Sequence, residues 1–410
     1  MQAQQNELIP HLFRSEYRKI TSVLVKLFGI RYIEVAEDIA SETFLAATET
    51  WGLKGLPENP VAWLYTVAKN KARNQLQRDQ VFQNKITPEL TGSAPKAIDA
   101  DVDLSAKNII DSQLQMMFAI CQPSIPAEAQ VGLCLRIFCG FGIEEIADAF
   151  LTNKETINKR LFRAREKLRT ENLKIEMPAA HQIDARMQTV LTTLYLLFNE
   201  GYYSGGPKTT LRKELCLEAM RLCLMLVENP DTNTPAANAL LALMCFHASR
   251  FDARIGKNGE IILYEDQDTS LWNVDLIRQG EFYLNLAATG NKLSRYHLEA
   301  AIAYWHTQKK DSNEKWENIL QLYNQLLQIE YSPVAALNRT FALSKANGKE
   351  EAIREAEKLN LTENRFYFML LGELYTSINN GKAKDHFQTA YKMARTDADR
   401  QAILKKLNAF

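Results

Sequence analysis

The sequence predicts an all-α chain: two small helical domains joined by a flexible linker, then a helical, repeat-like extension. Three observations carry this. Apolar residues recur every three to four positions in nearly every segment, the period of a helix with one buried face. Strict apolar–polar alternation is almost absent; only Ile261–Tyr264 reads as a strand, inside the irregular segment 254–272. Residues 83–107, QNKITPELTGSAPKAIDADVDLSAK, lose the helical period and collect Pro, Gly, Ser and acids, as linkers do.

Bulk composition bounds the rest. At 410 residues with 46% hydrophobic content, the chain has material for two or three packed domains. Lys and Arg number 49, as do Asp and Glu, so nucleic-acid binding has to come from local patches. Cys121, Cys134, Cys139, Cys216, Cys223 and Cys245 form no CxxC pair and mostly lie in apolar helical stretches, so they read as buried small hydrophobes in a reducing compartment. The opening MQAQQNELIP lacks the basic-then-apolar order of a secretion signal. No apolar run is as long as a membrane span. A cytoplasmic protein without a membrane partner is expected.

Residues 5–80 read as several helices. Within them AEDIASETFLAATETW (36–51) is acidic and amphipathic, a docking face. In NPVAWLYTVAKNKARNQLQR (59–78), Pro60 suits a first helical turn. Trp63, Leu64, Val67 and Ala68 form an apolar side, and the other side collects Lys69, Asn70, Lys71, Arg73, Asn74 and Arg78 without an acid. Aromatic rings beside cations and amides suit single-stranded DNA, where bases stack and phosphates meet charge.

After the linker, residues 111–172 are helical again, and IEEIADAFLTNKETINKRLFRAREKLR (143–169) reads as two helices joined by a short turn. Thr152 through Glu155 spell a capping box for the second. Ile157, Leu161, Ala164 and Leu168 form one apolar stripe. Residues 154–169 hold seven Lys or Arg against two Glu, a local net charge of +5. Lys154, Asn158, Lys159, Phe162 and Arg163 point away from the stripe, the residue types that meet phosphates and base edges from a helix in the major groove. The alternative is a solvated basic helix of a structural bundle.

The order AEDIASETFLAA, NPVAWLYTVAKNKA, linker, IEEIADAFLTNKETINKRLFRARE resembles a bacterial sigma-70-type factor of the extracytoplasmic-function class, over residues 8–172. The resemblance implies a first domain (5–80) that binds the RNA polymerase clamp and the −10 element, a linker (81–110), and a helix–turn–helix domain (111–175) that binds the −35 element. By position it places Asp38, Glu42 and Phe44 in polymerase docking and Lys69, Asn70, Arg73 and Asn74 in −10 reading. The loop GLKGLPENP is where such factors capture a flipped base. The −35 face carries Lys154, Asn158, Lys159, Phe162 and Arg163. RNA polymerase core and promoter DNA are the implied partners.

Residues 181–410 continue as helix after helix. LYLLFNEGYYSGG (194–206), NGEIILYEDQDTSLWN (258–273) and SPVAALNRTFALSKANG (332–348) together resemble the subgroup with a fused tetratricopeptide-like extension, implying a regulatory role and a regulatory protein as a further partner. Leu371, Gly372, Tyr375, Ala383, Phe387 and Ala390 fit a helical-hairpin repeat, with Leu337, Phe341 and Ala352 a looser copy; the repeat-like part covers about 332–396. Gly201 is expected to end its helix, and Tyr202 and Tyr203 to sit where the extension meets the first two domains. An aspartyl phosphatase reading of Asp266 and Asp268 lacks the strand–helix alternation it needs. No HExxH pairing or phosphate loop occurs, so no metal, cofactor or catalytic residue is assigned. A DNA-binding regulator that senses a ligand and acts without polymerase is the alternative function.

Overall fold

The computed structural model describes residues 2–86, 102–150, 152–171, 173–203, 209–254, 262, 264–394 and 397–410. Most of the expected linker lies outside these residues, as does the stretch 204–208. All regular structure among the described residues is helical, and the chain divides into two compact units, Met1–Thr232 and Asn233–Phe410.

The first unit holds α1 (Gln2–Phe28), α2 (Ile33–Lys54), α3 (Pro60–Ile86), α4 (Ala106–Ile120), α5 (Ala127–Phe138), α6 (Ile143–Ala149), α7 (Lys154–Thr170), α8 (Ala180–Tyr203) and α9 (Thr209–Glu228). Helix α1 is the hub. Its buried Tyr17, Ile20 and Leu24 face α2 and α4, and it also touches α3 and α5. Gln130 fixes α5 from inside: its side-chain amide donates to Gln122 O (2.8 Å) and Ile125 O (2.7 Å), and its carbonyl accepts from the Thr193 hydroxyl of α8 (2.7 Å). Each polar atom buried there has a partner, which spares the cost of an unmade hydrogen bond. On α8, Leu194, Leu197 and Phe198 are buried as expected.

Two local expectations are corrected. Gly201 does not end its helix; α8 continues to Tyr203. A helical glycine costs only about 1 kcal/mol, and burial of Phe198 and Tyr202 on either side outweighs it. The cap of α7 is Asn153 and not Thr152: Asn153 Oδ1 accepts from Thr156 N at 2.8 Å. The Thr152 N–H instead closes the preceding turn on Ala147 O at 2.9 Å.

The second unit holds α10 (Pro235–Ala248), α11 (Phe251–Arg254), α12 (Val274–Ala287), α13 (Arg295–Thr307), α14 (Asn313–Ile329), α15 (Pro333–Ala346), α16 (Lys349–Leu359), α17 (Arg365–Tyr375), α18 (Asn380–Lys392) and α19 (Asp397–Leu407). Every residue of α10 from Ala237 to Phe246 is buried, the mark of a helix apolar all round. It packs on α12 and α13. The approach to α12 is close: a Cβ on Gly280 would lie 2.6 Å from the Phe246 ring. From α13 on, each helix packs on the next, joined by short turns into hairpins. Leu371, Tyr375, Ala383, Phe387 and Ala390 are all buried where α17 crosses α18, and a Cβ on Gly372 would lie 2.7 Å from the Phe387 ring. The small and large residues therefore interlock at this hairpin.

The strand expected at Ile261–Tyr264 is not seen at Tyr264, which opens a short 3-10 turn to Asp266; Ile261 and Leu263 lie outside the described residues. Asp266 and Asp268 do not converge on a site. Asp268 caps the next turn, accepting from Ser270 N at 2.8 Å, and hydrogen bonds from the Ser270 side chain and backbone hold its carboxyl below the usual carboxylate range. The six cysteines are free and buried, and burial pushes the Cys245 thiol up to about 12. Burial and the cations Arg250 and Lys315 push His306 down to about 3.

Candidate nucleic-acid interface

Helix α3 is held by its apolar face. Asn59 Oδ1 caps its start through Ala62 N (3.0 Å), Leu64, Ala68 and Ala72 are buried, and Trp63 meets Trp51 of α2 edge-on at 5.3 Å. The opposite face presents Asn70, Arg73, Asn74 and Arg78 to solvent, with Lys69 half-buried beside them. Lys71 leaves that set: its ammonium meets Glu42 of α2 at 2.6 Å.

On α2, Asp38 and Glu42 are exposed. Phe44 is not available to a partner. It is 4% exposed and its ring packs against Phe13 (5.0 Å) and Tyr17 (6.5 Å). Its neighbour Leu45, 59% exposed, takes the outward position. Asp38, Glu42 and Leu45 follow i, i+4, i+7 and share one face. That spacing was readable in the sequence.

Helix α7 stands on the turn after α6. Ile157, Leu161, Ala164 and Leu168 are buried as the stripe predicted. Leu161 seats over Gly132 of α5, where an added Cβ would lie 3.3 Å away. Lys154, Asn158, Lys159, Phe162 and Arg163 are all exposed, Phe162 by 62%. The basic content of the helix is, however, divided. Lys154 meets Glu144, and Arg160 pairs with Glu128 at 2.7 Å and lies over the Phe150 ring at 5.3 Å. Arg165 and Arg169 turn inward to α2. The Arg165 guanidinium donates to both oxygens of Glu37 at 2.9 Å, and Arg169 binds Glu34 and Glu166. Arg136 of α5 reaches Glu37 at 3.3 Å. A count of charges along α7 could not separate the outward from the inward cations.

Tyr202 is buried and stacks on Phe198 of its own helix at 5.7 Å; the Tyr203 side chain lies outside the described residues. Burial raises the Glu200 carboxyl above its ordinary range, with Glu128 adding to the effect and Arg160 opposing it. Among the described residues no cluster of His, Cys, Asp or Glu could hold a metal ion, and no helix is long and apolar enough to cross a membrane.

Residues 12–81, which contain both α2 and the exposed cations of α3, match sigma-70 region 2. The chain belongs to the sigma-70 family. Two curated sigma factors are similar to this one: the RNA polymerase sigma-H factor of Pseudomonas aeruginosa (26% identity, 40% of this chain and 92% of the relative) and the RNA polymerase sigma factor YlaC of Bacillus subtilis (25%, 39% and 90%). Along most of its length the sigma factor is also similar to an uncharacterized protein of Rhizobium meliloti, with 31% identity over 92% of this chain and 89% of the relative. Residues 186–288 match a family of unknown function, DUF6596. No solved structure matches the chain. Its likeness to sigma factors makes this chain a non-enzymatic factor of transcription initiation.

Proposed function

We propose that the chain is an extracytoplasmic-function-type sigma factor that brings RNA polymerase core to specific promoters, helps melt them, and carries its own regulatory domain. In this reading residues 5–80 form the polymerase- and −10-binding domain. Asp38 and Glu42, with Leu45 in place of the buried Phe44, face the polymerase, and Lys69, Asn70, Arg73 and Asn74 meet the melted strand. Residues 111–175 form the −35 domain, with α6 and α7 as its helix–turn–helix and Lys154, Asn158, Lys159, Phe162 and Arg163 in the major groove. Residues 181–410 form the regulatory, tetratricopeptide-like extension, which offers a surface to a partner protein.

The observation that carries the reading is the pair of separate basic, amide-rich helix faces, one on α3 inside the region 2 match and one on α7. A single-contact regulator needs only one. The test is transcription in vitro with purified core polymerase. The chain is expected to confer start-site selection that core lacks, and to bind promoter duplex poorly alone. Tight footprinting of an operator without polymerase, with no gain of promoter specificity by core, would establish the polymerase-independent regulator instead.

A further inference from the structure

The segment from Tyr264 to Trp272 takes no part in the two basic helix faces, yet the ends of four helices in the second unit converge on the Tyr264 ring. Arg250 follows α10, Trp272 precedes α12, His306 lies in the last turn of α13 and Lys315 in the first turn of α14. The Arg250 guanidinium lies 5.4 Å from the ring centre and the Lys315 ammonium 5.2 Å from it. The His306 ring meets Tyr264 edge-on at 4.9 Å, and the Trp272 ring lies at 6.4 Å. Lys315 also donates to the Tyr264 hydroxyl (2.9 Å) and to Gln308 O (3.0 Å).

The cluster is short of negative charge. Arg250 and Lys315 are 6% and 2% exposed. Among the described residues Arg250 pairs with no carboxylate. Lys315 has Asp311, at 3.9 Å and 64% exposed, and Asp311 is shared with the Trp316 indole N–H. Glu265, next to Tyr264, is taken by Lys345 at 2.6 Å. Burial first, then Arg250 and Lys315, push His306 down to about 3, so its ring is neutral. Donors are in excess as well: Arg250 Nε and Trp272 Nε1 are buried without a hydrogen-bond partner among the described residues, as is His306 Nδ1. A cation over a ring recovers only part of the cost of leaving water, and an unpaired buried donor adds to that cost. Water satisfies a donor without balancing a charge. Two cations against one distant acid leave a single positive charge, which one negative charge offsets. The walls are aromatic, so a singly charged carboxylate on an apolar body suits them better than a doubly charged, strongly hydrated phosphate. Tyr264 and His306 are only half-buried, so the cluster reaches the surface along that edge.

We propose that the Tyr264 cluster binds a small organic acid, its one carboxylate held by Arg250, Lys315 and the Trp272 N–H and its apolar body against the Tyr264 and Trp272 rings. The site lies wholly within the second unit. It goes beyond the sigma-factor reading and does not depend on it.

The test titrates the full chain with benzoate as the probe, by calorimetry and by thermal melting. Saturable binding in the millimolar range or tighter is expected, with the melting temperature rising as benzoate is added. Benzamide, the neutral isostere, is expected to bind about tenfold more weakly. Arg250→Gln should weaken benzoate about tenfold and leave benzamide unchanged, so the preference for the anion disappears. A merely structural arginine would weaken both probes alike. If Arg250→Gln fails to fold by circular dichroism, Trp272→Phe, which keeps an aromatic ring and loses the N–H, should weaken benzoate about threefold with benzamide again unchanged. No saturable binding, equal affinity for benzamide, tighter binding of inorganic phosphate, or an unchanged benzoate preference in the folded variant overturns the proposal. None of these results bears on the sigma-factor reading, which core polymerase and promoter DNA decide separately.

Discussion

In the first unit, beside the apolar hub of α1, residues far apart in the chain and of opposite charge meet. Arg165 finds Glu37, Arg18 finds Glu218, and Lys71 finds Glu42. In the second unit each helix from α13 onward packs on its neighbour in sequence, and what meets there is shape: Phe387 over Gly372, as Phe246 lies over Gly280. The difference teaches what each unit is suited to. An ion pair can be traded for another charged partner at small net cost, because both states satisfy the same charges. A ring seated over a glycine has no such substitute, since any separation opens a void. The first unit adds long-range ion pairs to its apolar hub, and the second adds rings seated over glycines to its stacked helices.

Five measurements break or sharpen that contrast. The largest effect is expected from Phe387→Ala, which leaves a cavity between α17 and α18 and costs about 3–5 kcal/mol. Calorimetry should show the second unit melting earlier while the first keeps its transition. An unchanged transition would remove Phe387 from the packing of α17 on α18.

Acid comes next. His306 ionises near 3 when folded and near 6.5 when unfolded, so between these values the unfolded state binds the extra proton. The stability contributed by neutral His306 is present above about pH 6.5 and is lost as pH falls toward 3. From pH 6.5 to 4.5 His306 should cost the second unit about 2 kcal/mol, the slope approaching about 1.4 per pH unit at the lower end. Urea unfolding at both values checks this, and His306→Gln should flatten the slope.

Arg163→Ala removes an exposed cation of α7 and should weaken −35-dependent initiation by about 1–3 kcal/mol without changing the melting temperature. An unchanged promoter output would remove Arg163 from the DNA face. Gly372→Ala should cost the second unit a similar ~1–3 kcal/mol through overpacking, partly offset by alanine's better helix propensity. Smallest is Lys71→Ala. Its pair with Glu42 is solvent-exposed, so chemical denaturation should register a change below about 1 kcal/mol.

Much of this was legible in the residues. The stripe of α7 is buried residue for residue because a single amphipathic helix reports its own inside and outside through spacing. The hairpin pattern at Leu371–Ala390 was legible for the same reason, since its partners lie within twenty positions. Family position points to Phe44, but periodicity does not: Asp38, Glu42 and Leu45 hold the outward register, and Phe44 falls a quarter-turn inward. The local conformational cost of Gly201 predicts a helix end, whereas the burial of Phe198 and Tyr202 carries the helix through it.

The sequence by itself determined the helical class, the family, the faces of α3 and α7 and the interlocking hairpins, because each depends on neighbours one or two turns away. Only the tertiary structure decided which cations look outward. Arg163 and Arg165 are two positions apart with the same charge and propensity, yet one faces solvent and the other meets Glu37, 128 positions earlier. Long-range pairing of charges carries no period, so nothing in the local pattern distinguishes a cation that faces solvent from one that pairs inside the fold.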